Sequence, residues 1–181
     1  LSIFSVPVIA ADDGNTIFIE AEDGKLNKSG DFEEVKDKDA SGGSYIIAAI
    51  TGKEKLEDPD SKDPHVTWEF DAPADGTYYI WIRYACDGNG SDNYFIGFND
   101  EKINSQYGSS VEISDGFWNW QRVYSSVEPL KAGKNTIKLY PREYNLKIDA
   151  FYVTSDPEFV PDELAQMEEE KEPLDEDKSG K

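Results

Sequence analysis

The sequence predicts an all-β protein, a β-sandwich jelly roll with an acidic disordered C-terminal extension. Three observations carry this. Short runs rich in Ile, Val, Tyr, Phe and Trp recur between residues 17 and 155, separated by turn residues. No helical run is interleaved with them. Beyond residue 155 the composition turns abruptly to Glu and Asp.

The chain starts with Leu1 to Ala10, which is apolar and uncharged. Val8-Ile9-Ala10 followed by Ala11-Asp12-Asp13 resembles the end of a secretory signal with a small-residue cleavage site, although the basic start of such a signal is missing. The alternative is an N-terminal strand packed on the domain. The polar stretch Asp12-Asp13-Gly14-Asn15 favours a leader, so residues 1–16 are assigned to it and export is expected. Strands are expected at 17–22, 44–49, 65–70, 77–85, 93–99, 121–127, 135–140 and 147–154. Asp75-Gly76, Asp87-Gly88-Asn89-Gly90 and Ala132-Gly133 mark turns between them. In the strand 77–85, Tyr78, Ile80, Ile82 and Tyr84 share one face, and Tyr79, Trp81 and Arg83 share the other. A charged loop from Lys53 to Asp63 contains Pro59, which excludes a central strand there. Trp120 leads into an apolar-alternating strand and is expected in the core. The domain spans 17–155, and residues 156–181 form an acidic linker or tail that cannot bury enough apolar surface to offset the entropy of ordering.

Charge and composition narrow the partners. The 181 residues carry a formal net charge of -20, which argues against nucleic acid and anionic membrane surfaces. It fits cation binding, neutral or cationic ligands, or plain solubility. Cys86, the only cysteine, permits no internal disulfide and is expected as a small buried group at a strand end. No apolar segment is long enough to span a bilayer. Nothing in the pattern demands an oligomer, and a monomer is expected.

Catalysis finds little support. His65 is the only histidine and stands in no nucleophile context, so its ordinary reading is a surface or strand-end residue. No phosphate-binding glycine loop precedes a helix, and no Cys/His cluster suits zinc. With 38 acidic residues, pairing two carboxylates on paper means little. The chain is therefore not expected to be an enzyme.

Binding is better supported. Glu20 and Glu22, two residues apart, would project from one face of a strand. Asp149 lies between Ile148 and Ala150 in a run suited to burial. Carboxylates in such settings are costly unless paired or bound to a cation. If the first and last strands pair, the three acids converge on one hard cation, with carbonyls completing its shell. The alternative is that Glu20 and Glu22 are solvated strand acids. Separately, Gly116-Phe117-Trp118-Asn119-Trp120 supplies aromatic rings in a loop. Sugars present apolar C–H faces, and a ring gives them a platform. Trp118 is the favoured platform, with Phe117 beside it; the alternative for Trp118 is packing.

These stretches resemble the β-sandwich carbohydrate-binding modules of families six and thirty-five, whose fold is galactose-binding-like. A strand ending Glu20-Ala21-Glu22-Asp23 opens the domain. The small-residue loop Asp39-Ala40-Ser41-Gly42-Gly43-Ser44-Tyr45, the strand Tyr78-Tyr79-Ile80-Trp81-Ile82-Arg83, the aromatic loop, a Leu130-to-Ile137 segment and the strand from Asn145 to Val153 follow in the order those modules show. The resemblance implies a structural calcium held by Glu20, Glu22 and Asp149, with Asp39 or its neighbours adding a ligand. It implies that Asn145 hydrogen-bonds sugar hydroxyls and that Tyr45 faces it, although Tyr45 is equally a buried strand residue. Arg142 and Tyr144 flank Asn145 and are candidates for setting specificity. Related modules also use the sandwich face as a second site, for which Tyr79, Trp81 and Arg83 are candidates; a structural role is the preferred reading. The expectation is a secreted, non-catalytic module that binds a polysaccharide or glycan, linked to a catalytic or surface domain. The alternative is a structural or adhesive domain of a secreted or cell-surface protein with a protein ligand.

Overall fold

The computed structural model describes residues 14–27, 32–48, 59–60, 62–86, 94–99, 105–107, 118–123, 129–142 and 145–162. Residues 1–13 of the expected leader and residues 163–181 of the acidic extension lie outside these residues. The strands in chain order are β1 (Thr16–Glu20), β2 (Lys25–Asn27), β3 (Phe32–Lys36), β4 (Ser44–Ala48), β5 (His65–Ala72), β6 (Tyr79–Ala85), β7 (Tyr94–Phe98), β8 (Ser105–Tyr107), β9 (Asn119–Arg122), β10 (Gly133–Pro141) and β11 (Lys147–Thr154). They form two antiparallel sheets. One runs β3-β4-β11-β6-β9, with β1 also paired to β11; the other runs β2-β5-β10-β7-β8. The β-sandwich read from the sequence is the fold observed.

Strand alternation fills the space between the sheets. Tyr78, Ile80, Ile82 and Tyr84 from β6 and the residue before it are all fully buried, as the sequence predicts. Phe151 and Val153 of β11 join them and meet Val66, Trp68, Ile137 and Leu139 of the opposite sheet. The Phe151 and Trp68 rings lie 4.7 Å apart and tie the two layers at the centre. Trp68 spends its one polar group well: Nε1–H donates to the Ala21 carbonyl at 2.9 Å. Gly24, next to that turn, is pressed so close to Val66 and Trp68 that any side chain there would enter the core. Cys86 is buried directly after β6, as expected.

Three strands, β2, β3 and β8, are absent from the sequence reading. All three are sheet edges. β2 and β8 are only three residues long, too short to show alternation, and β3 carries two Glu and a Lys, the kind of charge that protects an edge from pairing with other chains. In β3, Glu33 and Glu34 are exposed while Phe32 packs inward.

Two expectations need correction. The strand expected over 17–22 stops at Glu20, and Ala21–Asp23 forms a single 3-10 turn. Trp120 is not in the core. Gln121 is the inward residue of β9, so alternation places Trp120 outside, half-buried and stacked on Tyr152 at 4.8 Å. The outer face of this sheet also receives the chain just past β11. Arg122 donates to the Pro157 carbonyl at 3.1 Å, and Phe159 packs edge-on against Tyr152 at 5.1 Å. Residues 156–161, which composition assigns to the tail, thus lie along the sandwich.

Candidate functional site

The candidate cation crevice exists because β11 changes partner along one side. β1 pairs with it from Thr154 to Ala150, and β4 pairs with it at Lys147 and Ile148. On the other side, the register with β6 slips between Ile148 and Ala150. Asp149 occupies that slip. Bulges of this kind re-aim a side chain, and here the carboxylate is wholly buried.

Three short segments close around it. Glu20 ends β1, the 3-10 turn carries Glu22, and the turn Ser41–Gly43 leads into β4. Asp149 Oδ1 accepts from the Ser41 N–H at 3.0 Å, and its Oδ2 accepts from Arg83 Nη1. The Ser41 hydroxyl donates to Glu20 Oε1 at 2.9 Å, and the Ser44 hydroxyl donates to Glu22 Oε1 at 3.1 Å. The second oxygens, Glu20 Oε2 and Glu22 Oε2, are buried with no hydrogen-bond partner. Gly42 makes this closeness possible. Its φ is +59°, and a Cβ there would collide with Glu22 Oε1.

The electrostatics follow from this crowding. Burial pushes the Glu20 carboxyl up to about 6. The Ser41 hydrogen bond pulls it down, and the charges of Glu22, Asp149 and Asp23 add to the rise. Burial also raises Asp149, against the opposing pull of Arg83 and the Ser41 N–H. Three carboxylates against one guanidinium leave two negative charges in the crevice when all are ionised.

A divalent ion suits that charge, and the residues fit it in part. The two orphaned Oε2 atoms are oxygen donors of the kind a hard cation takes. Both Asp149 oxygens already serve Ser41 and Arg83. Among the described residues no three His, Cys, Asp or Glu side chains stand together in metal-holding geometry. Asp39 contributes no side chain: it is exposed and pairs with Lys38 at 2.6 Å. Its carbonyl accepts from Arg83 Nη1 at 3.5 Å.

The aromatic part of the site lies on the outer side of the same sheet. Trp118 is half-buried. Tyr45 meets it edge-on, with centroids 5.3 Å apart, and Arg83 places its Cζ 5.5 Å from the Trp118 centroid. Tyr45 is itself buried. Asn145 has a left-handed backbone with φ of 63°, and its N–H donates to the Ala48 carbonyl at 2.9 Å. Asparagine tolerates that conformation, which gives its residue type a backbone reason beside any ligand role. Arg142 follows β10 and is half-buried. Phe117 and Tyr144 lie outside the described residues. Tyr79, by contrast with a free platform, is covered by the Arg122 guanidinium at 4.3 Å, and Trp81 is buried.

The structure thus gathers Glu20, Glu22 and Asp149 at one crevice and brings Tyr45 against Trp118. Ser41, Gly42, Ser44 and Arg83 belong to the same construction, and the sequence reading did not place them there. Arg83 carried a usable signal: a buried acid such as Asp149 calls for a counter-charge, and Arg83 is the one base in the central strand 77–85.

The fold has relatives among solved structures. The native family 35 carbohydrate-binding module from Clostridium thermocellum superposes with a TM-score of 0.59 at 18% identity, over 78% of this chain and 98% of that one. The C-terminal family 6 module of a marine laminarinase from Zobellia galactanivorans gives 0.55 at 20% identity, over 78% and 100%. The chain has the carbohydrate-binding-module fold. The family 35-bearing β-(1,4)-mannanase of Podospora anserina gives 0.58 at 20% identity; there the match covers 81% of this chain and 29% of the enzyme. No protein-family model matches the sequence, and no curated protein does. At these identities the likeness is one of fold. Among the described residues no helix is long and apolar enough to cross a membrane.

Proposed function

We propose that the chain is a non-catalytic carbohydrate-binding module that docks a polysaccharide or glycan on Trp118, with a structural calcium ion at Glu20 and Glu22. The observation that carries this reading is the setting of Trp118. Its ring is fixed by Tyr45 and Arg83 yet only half-buried, so it keeps surface for a ligand. A pre-ordered aromatic ring is what the C–H face of a sugar needs. Both families that share the fold are carbohydrate-binding by name. Asn145 and Arg142 supply polar groups near the start of β11. The calcium ties the end of β1 to the start of β4 across Asp149, with the Asp39 carbonyl as a further oxygen nearby.

The reading places the protein outside the cell as a monomer, beside a catalytic or surface domain, as in the mannanase that carries such a module. The acids that converge do so around serine hydroxyls and a guanidinium, with two unpartnered carboxylate oxygens left for an ion. That setting differs from the open pair of carboxylates that flanks a glycosidic bond. The second reading, an adhesive domain with a protein ligand, is favoured by Phe18, a residue 42% exposed on the outer sheet face beside Tyr152.

The deciding experiment is binding to a glycan and polysaccharide array, with calcium and then with chelator, comparing wild type with Trp118→Ala. The proposal expects binding that Trp118→Ala weakens by about 2 kcal/mol, roughly thirtyfold, as for a central aromatic contact. A folded protein that binds no glycan would turn the assignment to the adhesive reading.

A further inference from the structure

We propose that Arg83 is a positioning residue that carries the occupancy of the Glu20–Glu22–Asp149 crevice by a divalent cation to the ring of Trp118. The inference rests on the cation reading above and adds to it a link between the ion and the ligand platform.

One guanidinium touches both sites. Arg83 Nη1 donates to Asp149 Oδ2 and faces the Asp39 carbonyl at 3.5 Å, while its Cζ lies 5.5 Å from the Trp118 centroid. Its side chain is 12% exposed and that of Asp149 is fully buried, so solvent screens the contact poorly. A guanidinium bonds through its edge and meets aromatic rings with its face, so it can serve carboxylate and ring together. An ammonium offers no such division.

The cation would enter next to this pair. The orphaned oxygens of Glu20 and Glu22 lie in the crevice whose third acid is Asp149. A dication held there draws on the Asp149 carboxylate and reduces its neutralisation of Arg83. The guanidinium then interacts more strongly with the Trp118 face. With the crevice empty of cation, Asp149 claims Arg83 fully and the ring is held less firmly. A parallel route runs through Ser44, which is bonded to Glu22, into the adjacent Tyr45 and so to the edge of Trp118. The experiment separates the two routes.

The probe is calcium alone, added to the chelated full-length chain, with two readouts. Thermal unfolding reports occupancy of the crevice. Acrylamide quenching reports the ring, with the Trp118 contribution isolated by subtracting the signal of Trp118→Phe. In wild type, calcium is expected to raise the Tm and to lower quenching of Trp118. In Arg83→Lys the rise in Tm is expected to persist while the quenching change is lost. Arg83→Gln, planar but uncharged, is the second variant should lysine not be tolerated, with the same expectation. If wild type gains stability and Trp118 does not respond, the coupling is wrong and the cation site stands. If both variants keep the wild-type response, the signal travels through Tyr45 and Arg83 is not its carrier. If calcium leaves the wild-type Tm unmoved, the cation reading fails and takes the coupling with it.

Discussion

Glu20 illustrates how a single carboxyl ties folding to solution conditions. Its folded value of about 6 stands above its ordinary 4.5. The native state therefore holds the proton more tightly than the unfolded chain. Between those two values the cation-free protein should lose stability as the pH rises, because the unfolded state gives up its proton first. Asp149, also raised, acts in the same direction. Calcium competes with that proton, so its affinity should climb through the same interval. Unfolding curves at several pH values, with chelator and with calcium, check both trends; a cation-free protein that stabilises on going from pH 4.5 to 6 would contradict them. Glu22→Gln should abolish most of the calcium-dependent rise in Tm, since it removes one of the two orphaned anionic oxygens. Gly42→Ala should cost about 1–2 kcal/mol from its left-handed backbone alone, and more from the contact with Glu22. Denaturant unfolding measures that loss.

At the scale of elements, β11 does the most. It pairs with β1, β4 and β6, and its Phe151 anchors the sheet-to-sheet contact. Phe151→Ala should destabilise the fold by about 3–5 kcal/mol, a shift readable in the denaturation midpoint. β11 was also the most legible strand: its bounds, Lys147–Thr154, match those expected from the sequence. Its apolar run, broken inside only by Asp149, reports a strand buried between neighbours. β2 and β3 were illegible for the opposite reason, since an edge strand that protects itself with charge looks like a loop. The site divides in the same way. Glu20 and Asp149 could be read because acids are conspicuous in apolar strands, whereas Glu22, expected on the same strand face, lies in the turn after it. The 3-10 turn that aims Glu22 could not, because three residues of turn leave no period to detect. Arg83 needed the pairing of β6 with β11, a contact between residues 66 apart in sequence.

For the whole molecule, a bound calcium would act as a ligand of the folded state only. At a hundred times its dissociation constant it adds about 2.7 kcal/mol. Chelation should therefore lower the Tm of wild type and leave that of Glu22→Gln nearly unmoved, a comparison made by scanning calorimetry. The pairing of β1 with β11 has a mechanical consequence. Thr16 lies opposite Thr154, and the Ser155 N–H reaches the Asn15 carbonyl at 3.0 Å, so the chain enters and leaves the sandwich side by side. Tension applied through those two points loads one end of an antiparallel ladder. The rungs part in sequence, as in a zipper, until the opening reaches Glu20 opposite Ala150, at the edge of the acid crevice.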